Sequence, residues 1–370
     1  MFLTIIVFLA ILSVLVLVHE AGHFFVAKKL GIKVEEFGFG FPPRAFAFKK
    51  GETVYSFNWL PIGGFVKLYG EDEAGGGRLE IKDIKIKDKS RAFFARPVWQ
   101  KALVVVAGVF MNFVLAVLIL SFLFSAVGVA VQSNKVIVAN VSKDSPAQIA
   151  GLKPGDLIES LGGVAITSTQ ALIDITKKHL GEQISLKVKT AKGQEELISL
   201  TPRKNYPQGE GPIGVLISQN FEIKKYPWYQ APFVGLQESG RQSYLIVLGL
   251  WTVLYSLFAQ GQVPQGVAGP VGIAQLTGQV VQFGLPAVLS FVSLLSLNLA
   301  ILNILPIPAL DGGRLLFILI EGVTRKRVNP KFESYTHVVG MAILLSLVAL
   351  ITLHDLIRIF KGQPILPNLK

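Results

Sequence analysis

The chain has 370 residues, of which 51% are apolar and only 16% are charged, and it contains no cysteine. This composition excludes an ordinary soluble globule and favours a polytopic membrane protein with some water-exposed mass. Without cysteine there are neither disulfides nor thiolate ligands, so a metal site would have to use nitrogen and oxygen donors.

The net charge of +12 is unevenly distributed along the chain. Residues 28–101 include fifteen Lys or Arg against nine Asp or Glu, and this surplus of six is half of the total. The basic segment separates two apolar runs, which is typical of a cytoplasmic loop under the positive-inside rule. Membrane topology therefore explains the charge, and we expect no nucleic acid partner.

Four apolar runs are predicted to cross the membrane. The first lacks the basic start and the cleavage site of a secretory signal, so we expect it to be retained as a helix. The third would measure about 52 Å as a straight helix, which is too long for one crossing, so its prolines and glycines should break it. The runs cover residues 2 to about 27, 102 to about 131, 286 to about 320 (with Pro306, Pro308, Gly312 and Gly313) and 338 to about 353.

A second basic cluster, residues 325–331, lies between the third and fourth runs. With this cluster on the cytoplasmic side, both chain ends fall outside the cytoplasm. Residues 244–261 are a fifth apolar candidate, but the basic cluster would lie outside if they crossed. We therefore expect this segment to lie on the outer leaflet or to dip into it.

Two further segments are expected to form strands. Residues 132–220 alternate apolar and polar side chains in KVIVANVS, QISLKVKT and EELISLTP, which indicates a small strand-rich unit outside the cytoplasm. Residues 51–71 are apolar and aromatic, and they predict a β-hairpin around Pro61, Gly63 and Gly64. This hairpin either lies on the membrane surface or re-enters the membrane, where protein or water must satisfy its backbone.

The first apolar run contains HEAGH at residues 19–23, which matches the H-E-x-x-H pattern. On a helix, His19 and His23 lie on one face and can bind one zinc ion, while Glu20 can act as general base towards water. A charged group within a span is costly, at roughly 2.5–3.5 kcal/mol. The alternative is a His/Glu cluster that joins helices through hydrogen bonds.

A zinc hydrolase usually has three protein ligands and an open position, and Asp311 is the best third ligand among the few acids in apolar runs. His19 lies about 25 Å along its helix from Phe2, and Asp311 lies about 25 residues past Pro286. Both are therefore predicted near the cytoplasmic side of a core about 30 Å thick. The alternative for Asp311 is an ion pair with Arg314, one turn away.

Other polar residues carry weaker signals. Asn112, Asn298 and Asn303 lie in the second and third runs, where each is as compatible with hydrogen bonding between helices as with substrate contact. The remaining histidines are expected at the surface or at interfaces: His179, His337 and His354.

Four segments together resemble the site-2 protease family, and most closely its bacterial RseP-like branch. They are VHEAGHFFVAKKLGIKVEEFGFGF, LPIGGFVKLYGE, AGVFMNFVLA and NLAILNILPIPALDGGRLL, which follow the family's order over nearly the whole chain. The resemblance implies that His19, His23 and Asp311 are zinc ligands and that Glu20 is the general base. It also implies that Asn303 positions the substrate.

The same resemblance gives roles to the predicted strands. LPIGGFVKLYGE, with Gly63 and Gly64, is similar to the family's membrane-re-entrant β-hairpin, which can align a substrate by strand addition. AGLKPGDLIESLGGVAI resembles bacterial PDZ domains, and GPIGVLI resembles their peptide-binding loop, with Ile213, Gly214 and Val215 at its core.

Two features depart from the family's pattern. The chain has room for one PDZ domain, whereas enteric relatives carry two. Val109 stands where many relatives have a proline after the glycine, but Asn112 is present, and the resemblance implies that it contacts the substrate.

The sequence thus predicts a mainly α-helical polytopic membrane protein with about four transmembrane helices, a membrane-re-entrant β-hairpin and one extracytoplasmic α+β PDZ domain. The expected order is the first half of a protease core (1–131, with the hairpin at 51–71), the PDZ domain (132–220), a membrane-associated segment (221–285) and the second half of the core (286–370).

The function that the resemblance implies is zinc-dependent intramembrane endoproteolysis with one Zn²⁺ per chain. Expected partners are the lipid bilayer, single-span membrane proteins already trimmed outside, such as anti-sigma factors, remnant signal peptides, and peptide carboxyl ends at the PDZ domain. The expected location is the bacterial cytoplasmic (inner) membrane, with both termini and the PDZ domain outside and the active site near the cytoplasmic side. Two other classes stay open: a catalytically idle membrane adaptor that presents its PDZ domain, and a metal transporter with ligands along a pathway.

Overall fold

The computed structural model describes residues 2–71, 88–260, 267–326 and 328–362 of the chain. The chain divides into two compact units. The first, called the membrane unit, comprises Met1–Val127 and Tyr226–Lys370, and the second, called the inserted unit, comprises Gly128–Lys225.

Helices dominate the membrane unit, and strands dominate the inserted unit. In chain order the helices are α1 (Phe2–Lys29), α2 (Val98–Ala126), α3 (Pro146–Ile149), α4 (Thr169–Lys178), α5 (Ala231–Tyr255), α6 (Pro270–Gln282), α7 (Leu285–Ile304), α8 (Asp311–Thr324) and α9 (Pro330–Phe360). The strands are β1 (Val34–Lys50), β2 (Thr53–Leu68), β3 (Val129–Val141), β4 (Leu157–Leu161), β5 (Val164–Ala165), β6 (Ile184–Lys189), β7 (Glu195–Leu200) and β8 (Val215–Lys224).

Four helices of the described residues are long and apolar enough to cross a membrane: α1, α2, α7 and α9. By length and composition, this confirms the predicted number of spans. Two bounds differ from the expected ones. Helix α2 ends at Ala126 rather than near residue 131, because strand β3 already begins at Val129. Helix α9 extends beyond the predicted run at both ends. It already begins at Pro330, because Asn329 caps its start by accepting a hydrogen bond from Lys331 N.

The third apolar run is broken at its prolines, as predicted. Helix α7 ends at Ile304, residues 305–310 form a non-helical turn with Pro306 and Pro308, and α8 begins at Asp311. Proline lacks the amide proton that a continuing helix needs. The two glycines expected to help break the helix instead lie in the first turn of α8. A side chain at Gly313 would stand 2.4 Å from Ile307 O, so glycine there lets the turn pack onto the helix.

Helix α5 begins well before the fifth apolar candidate and is followed by a π-helical turn, Ser256–Gln260. Gly261, the last residue of that candidate, lies outside the described residues. Ala231, Gly235 and Ser239 form a buried stripe of small residues, and Gly235 packs against the backbone of α2 at Ser121. Helix α5 is not among the four apolar helices, and its place at the outer leaflet stays a prediction.

Helix α1 packs closely against α2 and α7. Leu15 is fully buried in a cluster with Ile11 and Val292. Nearer the basic end of α1, a side chain at Gly22 would lie 2.3 Å from Ala107 O, so only glycine allows this approach. Close contact between helix backbones through small residues is the usual way in which membrane helices associate.

A buried carboxylate joins α9 to α6. Asp355 is fully buried and accepts hydrogen bonds from Gly269 N at 2.9 Å and Gly272 N at 2.8 Å. These amides belong to the start of α6, where helical amide groups have no partner within the helix. Arg358, one turn along α9, lies 3.2 Å from the same carboxylate. The carboxylate therefore caps α6 across a helix–helix contact.

The apolar, aromatic segment predicted as a hairpin supplies only one strand of a longer sheet. Strand β2 covers most of it and pairs antiparallel with β1, which the sequence did not indicate as a strand. Pairing is irregular between Phe39 and Arg44, where Pro42–Pro43 interrupt β1. Residues 36–39 have partners on both sides, namely residues 54–57 and 64–67.

This sheet runs alongside α1. At one end, Glu52 in the turn between β1 and β2 accepts hydrogen bonds from Arg91 at 2.8 Å and Lys28 at 2.9 Å, which lower the pKa of its carboxyl to about 2. At the other end, Ser13 Oγ donates to Pro61 O at 3.0 Å. The stretch of α1 between these contacts, Ser13 to Lys28, measures about 22 Å.

The inserted unit is an antiparallel sheet with strand order β7-β6-β4-β3-β8, and β5 pairs with β4. Ser145 and Ser168 begin α3 and α4 as N-caps, accepting hydrogen bonds from Gln148 N and Ala171 N. The core includes Ile158, Leu161, Leu172, Leu186 and Val188. Strands β3 and β8 pair along most of their length, so Val129 and Lys224, near the two ends of the unit, are partners in one ladder.

We expect Asp355→Ala to destabilise the membrane unit. The change leaves the amides of Gly269 and Gly272 without an acceptor in a buried site, at a cost of about 1–3 kcal/mol. Thermal unfolding of the purified protein in detergent, followed by circular dichroism, should show a lower midpoint. Leu353→Ala, at a side chain 56% exposed on the same helix, is the control. Equal midpoints for the two variants would contradict the capping role.

Candidate metal centre and active site

Three side chains that can bind a metal converge between α1 and α8. His19 Nε2 lies 2.8 Å and His23 Nε2 lies 3.4 Å from Asp311 Oδ2, and the two imidazole nitrogens are 3.2 Å apart. The potential ligand atoms all lie within 4.8 Å of one another. The structure thus brings together the two histidines of HEAGH and an acid almost three hundred residues later in the chain.

Local structure explains how each ligand is placed. The histidines are four residues apart on α1, so they lie on one face of the helix. Asp311 is the first residue of α8, where the helix macrodipole favours a carboxylate. His23 Nδ1 lies 2.7 Å from Val104 O, and as a donor to that carbonyl it leaves Nε2 free for a metal.

The chemistry of this donor set fits a divalent cation. Asp311 Oδ2 is buried and makes no hydrogen bond with the described residues, although both imidazoles converge on it. Two imidazole nitrogens and one carboxylate oxygen are a common catalytic zinc set, with a fourth position left open. His19, His23 and Asp311 would therefore hold the ion.

Helix α2 leaves space for the ligands through a glycine. A side chain at Gly108 would lie 2.4 Å from His23 Nε2 and 2.8 Å from His19 Cε1. On the same helix, the fully buried Asn112 side chain lies 3.5 Å from His19 Nδ1, and its backbone oxygen accepts from Ser296 Oγ at 2.7 Å. Asn112, predicted as a substrate contact, thus lies against His19, a predicted metal ligand.

Glu20 lines two cavities next to the ligands. One, of about 220 Å³, is also lined by His19, Asn112, Asn303 and Asp311. The other, of about 550 Å³, is lined by Glu20, by the sheet of β1 and β2 and by α8. Its lining includes Phe41, Phe65, Glu71 and Arg314. The structure therefore places the predicted base and Asn303 at one cavity. Asn298 instead donates a hydrogen bond from its side-chain amide to Leu294 O of its own helix.

The two hairpin glycines lie beside α1 near the base. Gly63 has a φ of 75°, a conformation that favours glycine. A side chain there would come within 3.7 Å of Val16, and one at Gly64 would stand 3.2 Å from Leu17 and 3.9 Å from Glu20 Cγ. The strand thus passes close to Glu20, the predicted general base.

Arg314 is not the partner of Asp311. It forms an ion pair with Glu71, which follows β2 and also accepts a hydrogen bond from Leu68 N at 3.1 Å. The guanidinium lies over the Phe93 ring, 5.9 Å from its centroid. The ion-pair alternative for Asp311 is therefore wrong, and the pair instead joins the end of the hairpin to α8.

The predicted peptide-binding loop lies in the inserted unit. Ile213 is buried, Gly214 has a φ of 74°, and Val215 begins β8. The carbonyls of Ile213 and Gly214 accept hydrogen bonds from Ala147 N at 3.0 Å and Ser142 N at 2.9 Å. This loop is thus held by the start of α3 and the end of β3.

Sequence reasoning missed several contributors to the site. The Val104 carbonyl is a backbone group, for which a side-chain pattern gives no signal. Gly108 lies within the quoted AGVFMN segment, but its role depends on how closely two helices approach. His337, expected at the surface or at an interface, is buried at 4% exposure and contacts the turn before Asp311. This contact joins two residues 28 positions apart, so the sequence pattern gives no signal for it.

Comparisons with known proteins identify the family of the chain. Residues 7–347 match the profile of peptidase family M50. The chain is 30% identical to the zinc metalloprotease RasP of Shouchella clausii, over 97% of this chain and 100% of that protein. It is 30% identical to the regulator of sigma-W protease RasP of Bacillus subtilis, over 96% and 99%. Among solved structures, it is similar to the PDZ domain of an SdrC-like protein from Listeria monocytogenes, at 30% identity over 24% of this chain and 93% of that domain, with a TM-score of 0.21.

We expect Gly108→Ala to weaken metal binding strongly. The added methyl group would occupy the space of His23 Nε2, so zinc bound to the purified protein should fall by about 10-fold or more. Elemental analysis of the protein gives the zinc content directly. Gly240→Ala on α5, where a side chain would contact nothing within 4 Å, is the matched control. Normal zinc content in Gly108→Ala would argue against the site.

Proposed function

The chain belongs to peptidase family M50 and is a zinc metallopeptidase, and we propose that it hydrolyses peptide bonds within the transmembrane segments of single-span membrane proteins already trimmed outside. The observation that carries this proposal is the meeting of His19, His23 and Asp311 against a helix long and apolar enough to cross a membrane. One relative is a regulator of sigma-W protease. Proteins similar to anti-sigma factors are therefore the first proposed substrates, and remnant signal peptides the second.

The proposed location is the bacterial cytoplasmic (inner) membrane. Helix α1 ends with Lys28 and Lys29, and α2 follows a basic segment, so the positive-inside rule supports a cytoplasmic location for these ends. His19 lies about 15 Å before Lys29 along the helix, which puts the site in the cytoplasmic half of the bilayer. Both chain termini and the inserted unit are then extracytoplasmic.

The proposed mechanism uses one zinc ion per chain, held by the three converging side chains. Zinc supplies Lewis acidity that polarises a peptide carbonyl and makes water easier to deprotonate. Glu20, beside the ligands, takes the proton from the attacking water and delivers it to the departing amine. Asn303, which lines the same cavity, is proposed to hold the substrate backbone through its amide.

The sheet of β1 and β2 is proposed to re-enter the membrane and to align the substrate there. Residues 64–67 pair with β1 on one side, and their other side has no strand partner among the described residues. An unwound segment can add to such an edge through its backbone, near Gly63 and Gly64. Unwinding is needed because a helix encloses its own peptide groups.

The inserted unit is proposed to be a PDZ domain that keeps out substrates with bulky outer domains. Its six-stranded sheet with two helices supports this assignment. Peptide carboxyl ends are proposed as its ligands, at the loop of Ile213, Gly214 and Val215. Titration of the full-length protein with a synthetic peptide that has a free carboxyl end tests this second role.

The site disfavours the two other functional classes. A metal transporter would need ligands in succession along a path, but the described residues offer one cluster, with its ligand atoms within 4.8 Å of one another. A zinc flux in proteoliposomes that persists without Glu20 would favour transport. An idle adaptor needs neither a base nor bound zinc, so metal analysis of the purified protein tests it.

We expect Glu20→Gln to retain zinc and to lose cleavage of a reconstituted single-span substrate by a factor of about 10²–10⁴, because the amide cannot accept the proton of water. Product formation in proteoliposomes and zinc content are measured on the same preparation. Glu182→Gln, at a side chain 69% exposed in the inserted unit, is the control. Full activity of Glu20→Gln would exclude this residue as the base.

Substrate helix stability should also set the rate. Replacing two glycines within the transmembrane segment of a substrate by alanine stabilises its helix by about 2 kcal/mol. If unwinding precedes cleavage, kcat/KM should fall about 30-fold. Initial rates in proteoliposomes measure this, and the same replacements outside the segment are the control. Unchanged rates would contradict alignment of an unwound strand.

A further inference from the structure

The turn that joins α7 to α8, residues 305–310, carries the ligand Asp311 at its far end. It is tied internally by few hydrogen bonds, one of which runs from Leu310 N to Ile307 O at 3.2 Å. Ala309 has a φ of 80°, in the left-handed region that alanine adopts only at a free-energy cost. The turn therefore needs contacts from outside to keep Asp311 in place.

His337 of α9 provides one such contact. Its side chain is buried, and Nδ1 accepts a hydrogen bond from Ala309 N at 2.9 Å. Because a backbone amide can only donate, the imidazole is neutral and carries its proton on Nε2. The ring also lies against Phe317 of α8, with centroids 5.7 Å apart. One side chain thus touches both the turn and the helix that Asp311 begins.

A second contact comes from the same face of α9, three residues later. A side chain at Gly340 would lie 2.4 Å from Pro308 Cβ and 2.7 Å from Pro308 O, so the two backbones are in direct contact. Positions separated by three residues are neighbours on a helix surface. His337 and Gly340 therefore hold adjacent residues of the turn.

We propose that His337 is a positioning residue for the metal centre, acting on Asp311 through the amide of Ala309. This inference rests on the proposed function. Ala309 is two residues from the ligand, so rotation of its peptide would move the carboxylate, and metal ligands must be held within about 0.5 Å of their working positions. The hydrogen bond fixes that peptide from a helix that contributes no ligand.

Zinc affinity separates this role from catalysis, and it is measured on the purified full-length protein by competition with a chromophoric chelator. His337→Asn keeps an acceptor on the same γ carbon, His337→Gln moves its amide one carbon farther away, and His337→Leu removes the acceptor. We expect the zinc Kd to rise about 10-fold or more for His337→Leu and His337→Gln. For His337→Asn, the Kd should stay close to that of the wild type. His354→Leu, at an exposed histidine of the same helix, is the control.

Equal affinity in wild type and all three His337 variants would overturn the proposal. Equal weakening by His337→Asn and His337→Gln would also overturn it, because the ring and not its acceptor would then matter. If His337→Leu does not fold, the comparison of the two amide variants still decides. Wild-type protein that binds no zinc would instead contradict the proposed function, so the two failures are distinguishable.

Discussion

A carboxylate oxygen that two imidazole rings enclose, and that makes no hydrogen bond with the described residues, governs the arrangement of the membrane unit. Asp311 Oδ2 lies among imidazole nitrogens in a helical core. An isolated charge in such surroundings is strongly unfavourable, and a divalent cation is the simplest compensation. Helices α1, α2 and α8 must then approach closely enough for the ligands to meet, and Gly22 and Gly108 allow that approach. Binding of the ion and packing of the helices are therefore coupled, and we expect each to stabilise the other.

The sheet of β1 and β2 shows how strands can run alongside a helix that is long and apolar enough to cross a membrane. Several polar groups at this sheet have partners within the protein: Thr53 donates to Val34 O, Asn58 to Gly40 O and Ser13 to Pro61 O. Such satisfaction is the condition under which strands are tolerated at membrane depth. The Arg314–Glu71 pair then joins the end of this sheet to the helix that carries the third ligand.

Features that depend on local covalent chemistry could be predicted from the sequence. The four-residue spacing of HEAGH and the proline break before Asp311 are of this kind, and the four apolar helices follow from hydropathy. Strand β1 could not be recognised, because glycines and Pro42–Pro43 interrupt its alternation and its stability comes from pairing on both sides. His337 could be predicted only as lying at the surface or at an interface, because the burial of a helical residue depends on what packs against it. The meeting of Asp311 with His19 was anticipated only as a shared depth, since contacts between distant segments require the tertiary fold.

The pairing of β3 with β8 has a consequence for how such a chain evolves. Partners across an antiparallel ladder are separated by about 5 Å between their Cα atoms, so the inserted unit begins and ends at practically one point. At that point a genetic insertion, a duplication in tandem or a complete loss leaves the flanking helices with nearly the same separation to span. Chains with different inserted units could thus share one proteolytic core, because units of this kind can be exchanged at a single attachment site.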